Sequence, residues 1–131
     1  MKNIVISLFT AIMLTACNQA QEVKSISTSE LKTLLTKQSI QLLDVRTPEE
    51  YNRGHIENAK QIDFYSPNFL TDAIKNIDKS KPVYIYCHSG GRSLKASEML
   101  SKKGFKTVNV EGGFSAWKNT IQNNNSKDTV H

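Results

Sequence analysis

Short apolar runs alternate with stretches of helical periodicity along most of this chain, and that alternation restricts its fold more than any other feature. Ile40–Val45 reads IQLLDV, Val83–Tyr86 reads VYIY and Phe105–Val110 reads FKTVNV. Each has the length and character of a buried strand. Between them, Phe69, Leu70, Ala73, Ile74 and Ile77 repeat at helical spacing after Ser66-Pro67. Ala96, Met99 and Leu100 form a second stripe that ends at Gly104, a residue suited to a left-handed helix cap. Two helix starts carry capping boxes: Ser27–Glu30, followed by Leu31, Leu34 and Leu35, and Thr47–Glu50, with Pro48 in the first turn. Pro82 breaks the chain before the central apolar run, and Glu111-Gly112-Gly113 turns into a last short helix around Ala116 and Trp117. Strands separated by helices of about ten residues specify an α/β fold, a parallel sheet covered on both faces. Ligands bind such sheets beyond the carboxyl ends of the strands.

The two ends of the chain read differently. Residues 1–16 place one early lysine, Lys2, before an apolar run from Ile4 to Ala16. That run is shorter than the roughly 20 residues a bilayer span needs, and fits the hydrophobic region of a signal peptide. Leu14-Thr15-Ala16-Cys17 resembles the lipobox of bacterial lipoproteins, which implies acylation of Cys17 and an exported protein anchored by lipid to a bacterial membrane, facing the periplasm or cell surface. An ordinary secretion signal with a chance cysteine is the alternative. Residues 17–25 are then a polar lipidated tether, 26–121 the folded domain, and 122–131 a polar tail with too little apolar surface to order itself. Lysine and arginine exceed the acids by five, a surplus scattered through the sequence with no basic block or aromatic-interleaved stripe of the nucleic-acid-binding kind. A mild positive field of this sort favours small anionic substrates and anionic lipid headgroups.

Export sharpens the question of the cysteines, because Cys17 and Cys87 are the chain's only two. If Cys17 carries lipid, Cys87 persists as a free thiol in an oxidising compartment, where an unused thiol is a hazard. This leaves room for a redox or sulfur-relay protein partner. A Cys17–Cys87 disulfide is the rival. Cys87 follows the strand ending at Tyr86 and opens Cys87-His88-Ser89-Gly90-Gly91, after which a helix starts near Arg92. Glycines let successive N–H groups point inward, and the helix adds its own unpaired N–H groups and positive dipole end. A cysteine facing such a cup is stabilised as thiolate, below the free pKa of about 8.5. Arg92 adds a permanent charge with planar donors suited to oxyanions. The turn therefore reads as a nucleophilic thiolate in an anion-binding cradle, with Cys87 catalytic and His88, Ser89, Gly90, Gly91, Arg92 and Ser93 as substrate-binding residues. The cradle of cysteine phosphatases and related arsenate reductases is one residue longer; the shorter loop suits a single extra sulfur better than a phosphate.

The loop resembles that of the rhodanese family of sulfurtransferases, whose single-domain members have an active loop similar to CxxGxRS, here Cys87 to Ser93. Leu42–Ala59, LLDVRTPEEYNRGHIENA, is similar to the family's first signature, and Glu111–Trp117, EGGFSAW, to its second. The resemblance implies a rhodanese-like five-stranded parallel sheet with helices on both faces. It also implies a double displacement through a Cys87 persulfide, from a small sulfur donor such as thiosulfate to a thiol or cyanide acceptor. The N–H groups of His88 to Ser93 would hold the persulfide charge, and no cofactor or metal is implied. Asn58 stands where the family usually has glycine, a change that asparagine's tolerance of left-handed torsions makes harmless.

Other polar residues carry structural expectations. Asp44, with a neighbouring Arg46–Glu50 pair, reads as a brace rather than an acid–base set. His55 is expected to be packed and hydrogen-bonded, Trp117 to lie in the core, and Ser93 to cap backbone donors at the helix start or touch the thiolate. Two other functions stay open: a slow-turnover sulfur carrier or partner-binding module, and a cysteine phosphatase or arsenate reductase.

Overall fold

The computed structural model describes residues 22–126. The chain order is β1 (Lys24–Ile26), α1 (Thr28–Lys37), β2 (Gln41–Asp44), α2 (Pro48–Asn52), β3 (Lys60–Gln61), α3 (Phe69–Asn76), β4 (Val83–Tyr86), α4 (Gly91–Lys102), β5 (Thr107–Val110) and α5 (Gly113–Asn125). The five strands form one sheet in the order β1-β5-β4-β2-β3, every pairing parallel. Cys17 and the proposed signal peptide lie outside the described residues, and no helix among those described is long and apolar enough to cross a membrane.

Strand alternation builds two cores. Leu43, Val45, Val83 and Ile85 point to one face, where Phe69 and Ala73 of α3 and Ala96 and Leu100 of α4 cover them. Leu42 and Tyr86 point to the other, against Leu31 of α1, with Trp117 and Phe114 of α5 packed alongside. Cys87 continues the alternation of β4 and falls on the first face. Both capping boxes form as the sequence specifies, at Ser27/Glu30 and Thr47/Glu50. Asn58 takes a positive φ of 65°, and Gly104 one of 88° just past α4.

Several sequence expectations need correction. Lys24 and Ser25, expected in the tether, join Ile26 in β1, whose alignment with Val108–Val110 satisfies backbone groups of a segment too polar to read as a strand. The two-residue β3 likewise carries no apolar signature and forms because β2 offers it an edge. At the other end, α5 runs through Asn125, past the expected boundary at 121, because extending an existing helix needs no new nucleus. Trp117 is half-buried rather than enclosed. Part of the charge surplus gathers in space. A parallel sheet returns every helix-to-strand turn to one end, so exposed Lys37, Lys60, Lys79, Lys81, Lys103 and Lys106 gather at the strands' N-terminal end. The opposite end, where Cys87 stands, carries Glu49, Glu50, Asp63 and Glu111 together with Arg53 and Arg92.

Candidate active site

The loop after β4 is gripped from outside by the start of α5. The Phe114 N–H donates to the Cys87 carbonyl at 2.8 Å and the Ser115 N–H to the His88 carbonyl at 3.0 Å. Such close approach requires Gly113, which has a φ of 55° and where a Cβ would collide with the backbone of Cys87 and His88. The glycine pair of EGGFSAW therefore shapes the cysteine loop from across the sheet, a role its sequence position alone did not announce.

Inside the loop, Gly90 adopts a φ of 110° as N-cap of α4, and its N–H donates to the Cys87 sulfur at 3.1 Å. The cysteine is recessed at the floor of the cup, 1% exposed and free among the described residues, while His88, Ser89 and Gly91 are exposed at the rim. Burial pushes the Cys87 thiol up, but donation from the Ser93 hydroxyl and from the N–H groups of Ser93, Gly90 and Ser89 outweighs it, leaving the pKa below the ordinary thiol value. Hydrogen bonding to the charged form decides the sign.

Ser93 does not cap the helix, since Gly90 is its N-cap and no side chain does so. Its fully buried hydroxyl reaches the Asn109 Oδ1 at 2.7 Å and the Gly90 carbonyl at 3.0 Å. One proton serves all these acceptors, so donation to the thiolate competes with donation to Asn109. Asn109 escaped sequence reasoning; the available signal was an amide facing inward between Val108 and Val110.

Arg92 bonds Glu50 with both terminal nitrogens, Nη1 to Oε2 and Nη2 to Oε1, each at 2.8 Å. Its guanidinium also stands 5.4 Å from the centre of the Tyr65 ring. Glu50 is held from the other side by Thr47, whose N–H and hydroxyl donate to Oε2 at 3.1 Å. The Arg92 guanidinium, with help from Thr47, pulls the Glu50 carboxyl down to about 2. Glu50 in turn keeps Arg92 above its ordinary value. Sequence reasoning paired Glu50 with Arg46. The structure instead gives Arg46 to Asp44, with Nη2 to Oδ2 at 2.7 Å and Nε to Oδ1 at 3.0 Å, because the side chain turns inward beneath the ring of Phe114. The same Nη2 donates to the Gly54 carbonyl at 2.7 Å. His55 lies flat on Tyr51, ring centres 3.7 Å apart, and its Nδ1 sits 3.1 Å from the Tyr51 carbonyl; it is exposed. Among the described residues, no three metal-ligating side chains converge.

With this geometry, the match to a known family is direct. The model of the rhodanese-like domain matches residues 27–120. The chain belongs to the rhodanese family. It is 38% identical over 116 residues to thiosulfate sulfurtransferase 18 of Arabidopsis thaliana, covering 79% of this chain and 85% of the relative. It is 39% identical over 98 residues to the putative sulfurtransferase YtwF of Bacillus subtilis, covering 74% and 92%. The crystal structure of a rhodanese-like domain protein from Staphylococcus aureus superposes with a TM-score of 0.66 at 44% identity, covering 72% of this chain and 91% of that one. The rhodanese fold places all three signatures around one cup: the first supplies Glu50 to Arg92, the loop supplies the thiol, and the last supplies the glycine clamp.

Proposed function

We propose that the protein is a sulfurtransferase in which Cys87 carries sulfane sulfur between two small molecules. The observation that supports this most is the Gly90 N–H aimed at the Cys87 sulfur in a loop that lowers the thiol's pKa. In the first displacement the Cys87 thiolate attacks the outer sulfur of a donor such as thiosulfate. A bond forms between the two sulfurs, the donor's S–S bond breaks, and sulfite leaves with the electron pair. The resulting persulfide anion rests against the inward N–H groups of the loop. In the second displacement a thiol or cyanide attacks that outer sulfur, and the Cys87 thiolate departs. Each step breaks one S–S bond as one bond to the transferred sulfur forms, and sulfite or the Cys87 thiolate leaves with the electron pair, so the chain's own donors suffice to steady the charge. Arg92 braces the loop through Glu50, while exposed His88, Ser89 and Gly91 form the rim a donor must pass.

The recessed thiol admits a narrow sulfur more readily than a phosphate with its oxygens, which supports sulfur transfer over the phosphatase reading. We also place the protein at a bacterial membrane, held by lipid on Cys17. Mass spectrometry of the mature full chain, before and after a sulfane-sulfur donor, tests both ideas. The expected result is an acylated Cys17 and one added sulfur on Cys87, released by cyanide as thiocyanate. An acceptor reaction that proceeds equally in Cys87→Ser contradicts the enzyme, and Cys87-dependent phosphomonoester hydrolysis would put the phosphatase in its place.

A further inference from the structure

The turns at the strands' N-terminal end are tied to one another, so the lysines they carry lie close together. The Gln41 side chain, at the start of β2, accepts from the Asp78 N–H at 2.7 Å and donates to the Asp78 carbonyl at 3.1 Å. The Lys60 Nζ donates to the Asn76 carbonyl, at the end of α3, at 2.9 Å. Lys79 holds its ammonium 5.5 Å from the centre of the Phe105 ring, so the turn before β4 meets the turn before β5. Lys37, Lys81, Lys103 and Lys106 are exposed around these contacts. The acids at this end are Glu22, Glu57 and Asp78, the last 3.9 Å from the Lys81 ammonium, so cations predominate. The chain also enters the domain here. Lys24 opens β1, which runs parallel to β5 and pairs with Val108 near that strand's start. Lys24 lies seven residues beyond Cys17, and seven residues reach at most about 25 Å. A domain of about 100 residues is roughly 30–35 Å across. A lipid on Cys17 therefore cannot let the domain turn over and lay its Cys87 end on a bilayer.

Resting on the reading that Cys17 carries lipid, we propose that the lysine-bearing end docks on an anionic bilayer surface and holds the Cys87 cup upright, opening toward water. Charge complementarity selects this occupant, since lysines exposed over several turns suit a plane of anionic headgroups better than a single phosphate. β4 carries Cys87 about 13 Å beyond Val83. That exceeds the roughly 8 Å range of screening at physiological salt, so the thiolate is spared most of the membrane's negative potential. Arg53, Lys95 and Lys118 lie nearer the Cys87 end and stay in water. Donors and acceptors then reach the cup from solution rather than from within the lipid.

Lysine acetylation by a water-soluble reagent, read site by site with peptide mass spectrometry, tests this. The protein as recovered from cells is placed in vesicles of phosphatidylcholine alone, or of phosphatidylcholine and phosphatidylglycerol in equal parts. On the mixed vesicles Lys79, Lys81, Lys103 and Lys106 should label about threefold more slowly than on phosphatidylcholine, the loss of free amine expected at an anionic surface. Lys95 and Lys118 should keep their rates. Salt at about 0.5 M, which shortens screening to about 4 Å, should erase the difference. With Lys81→Gln, Lys103→Gln and Lys106→Gln combined, Lys79 should lose its protection. Equal labelling of the four lysines on both vesicles, or equal slowing of Lys95 and Lys118, overturns the docking face. Intact mass of the same sample judges the anchor separately. An unacylated Cys17 sinks the lipid anchor, and protected lysines in that sample would still support the face. A protein that binds neither vesicle overturns both.

Discussion

Two arginine–carboxylate pairs, Arg46–Asp44 and Arg92–Glu50, use the same planar chemistry with opposite consequences. The first is nearly sealed, its side chains 3% and 0% exposed. The arginine lies 4.3 Å from the centre of the Phe114 ring and 5.6 Å from that of Tyr86, and it also ties down the Gly54 carbonyl. The second sits at the lip of the cysteine loop, 17% and 28% exposed, where charge still reaches a bound donor. Depth separates a pair that holds the frame from one that sets the electrical character of the site. A buried pair contributes modestly when whole and costs heavily when halved, whereas a pair at the lip costs little either way.

The sharpest way to break that contrast is to halve each pair. Arg46→Met strands the Asp44 carboxylate without water, and denaturant unfolding should show a loss of about 3–5 kcal/mol. Arg92→Met should cost only about 1 kcal/mol. It should, however, raise the pKa of Cys87, because an unpaired Glu50 carboxylate then faces the thiolate. Equal losses from the two variants would remove the distinction. Acid titration of the wild type against Glu50→Gln isolates the lip pair from the other depressed carboxyls, Glu30 and Asp78. The Glu50 carboxyl is depressed in the folded state, so its contribution is full above about 4.5 and fades as pH falls toward about 2. Allowing for solvent screening, about 1–2 kcal/mol of stability should disappear across that window, and Glu50→Gln should lack this slope. The smallest effect is expected from Ser93→Ala. It leaves the Asn109 Oδ1 short of a donor, costing on the order of 1 kcal/mol, and it raises the Cys87 pKa by removing the hydroxyl donor.

The same contrast shows what a linear sequence reveals. The three apolar strands, both capping boxes and the cysteine turn were legible because each is local: its signal lies within a few residues of the structure it builds. The edge strands Lys24–Ile26 and Lys60–Gln61 were not, since they owe their conformation to a neighbouring strand's hydrogen bonds and not to their own side chains. The partners of Arg46 and Glu50 were misassigned for a related reason. Nearness in sequence suggested a short-range pair, whereas the start of α4 brings Arg92 to Glu50 from 42 residues away. The loop's nucleophile could be named from Cys87, its glycines and Arg92. Its supports, Gly113 from α5 and Asn109 from β5, arrive only with the folded sheet.

The enzymatic reading rests on the acidity of one recessed sulfur, and the pH dependence of Cys87 alkylation by iodoacetamide measures it most directly. Peptide-level mass spectrometry keeps that signal apart from Cys17, and restricted reagent access scales the rate alike at every pH without moving the midpoint. The account predicts a midpoint clearly below the free-thiol value of about 8.5, and a shift upward in Ser93→Ala. A midpoint at or above the free-thiol value would mean that burial outweighs the loop's donors, and would contradict the assignment of Cys87 as the sulfur-carrying nucleophile.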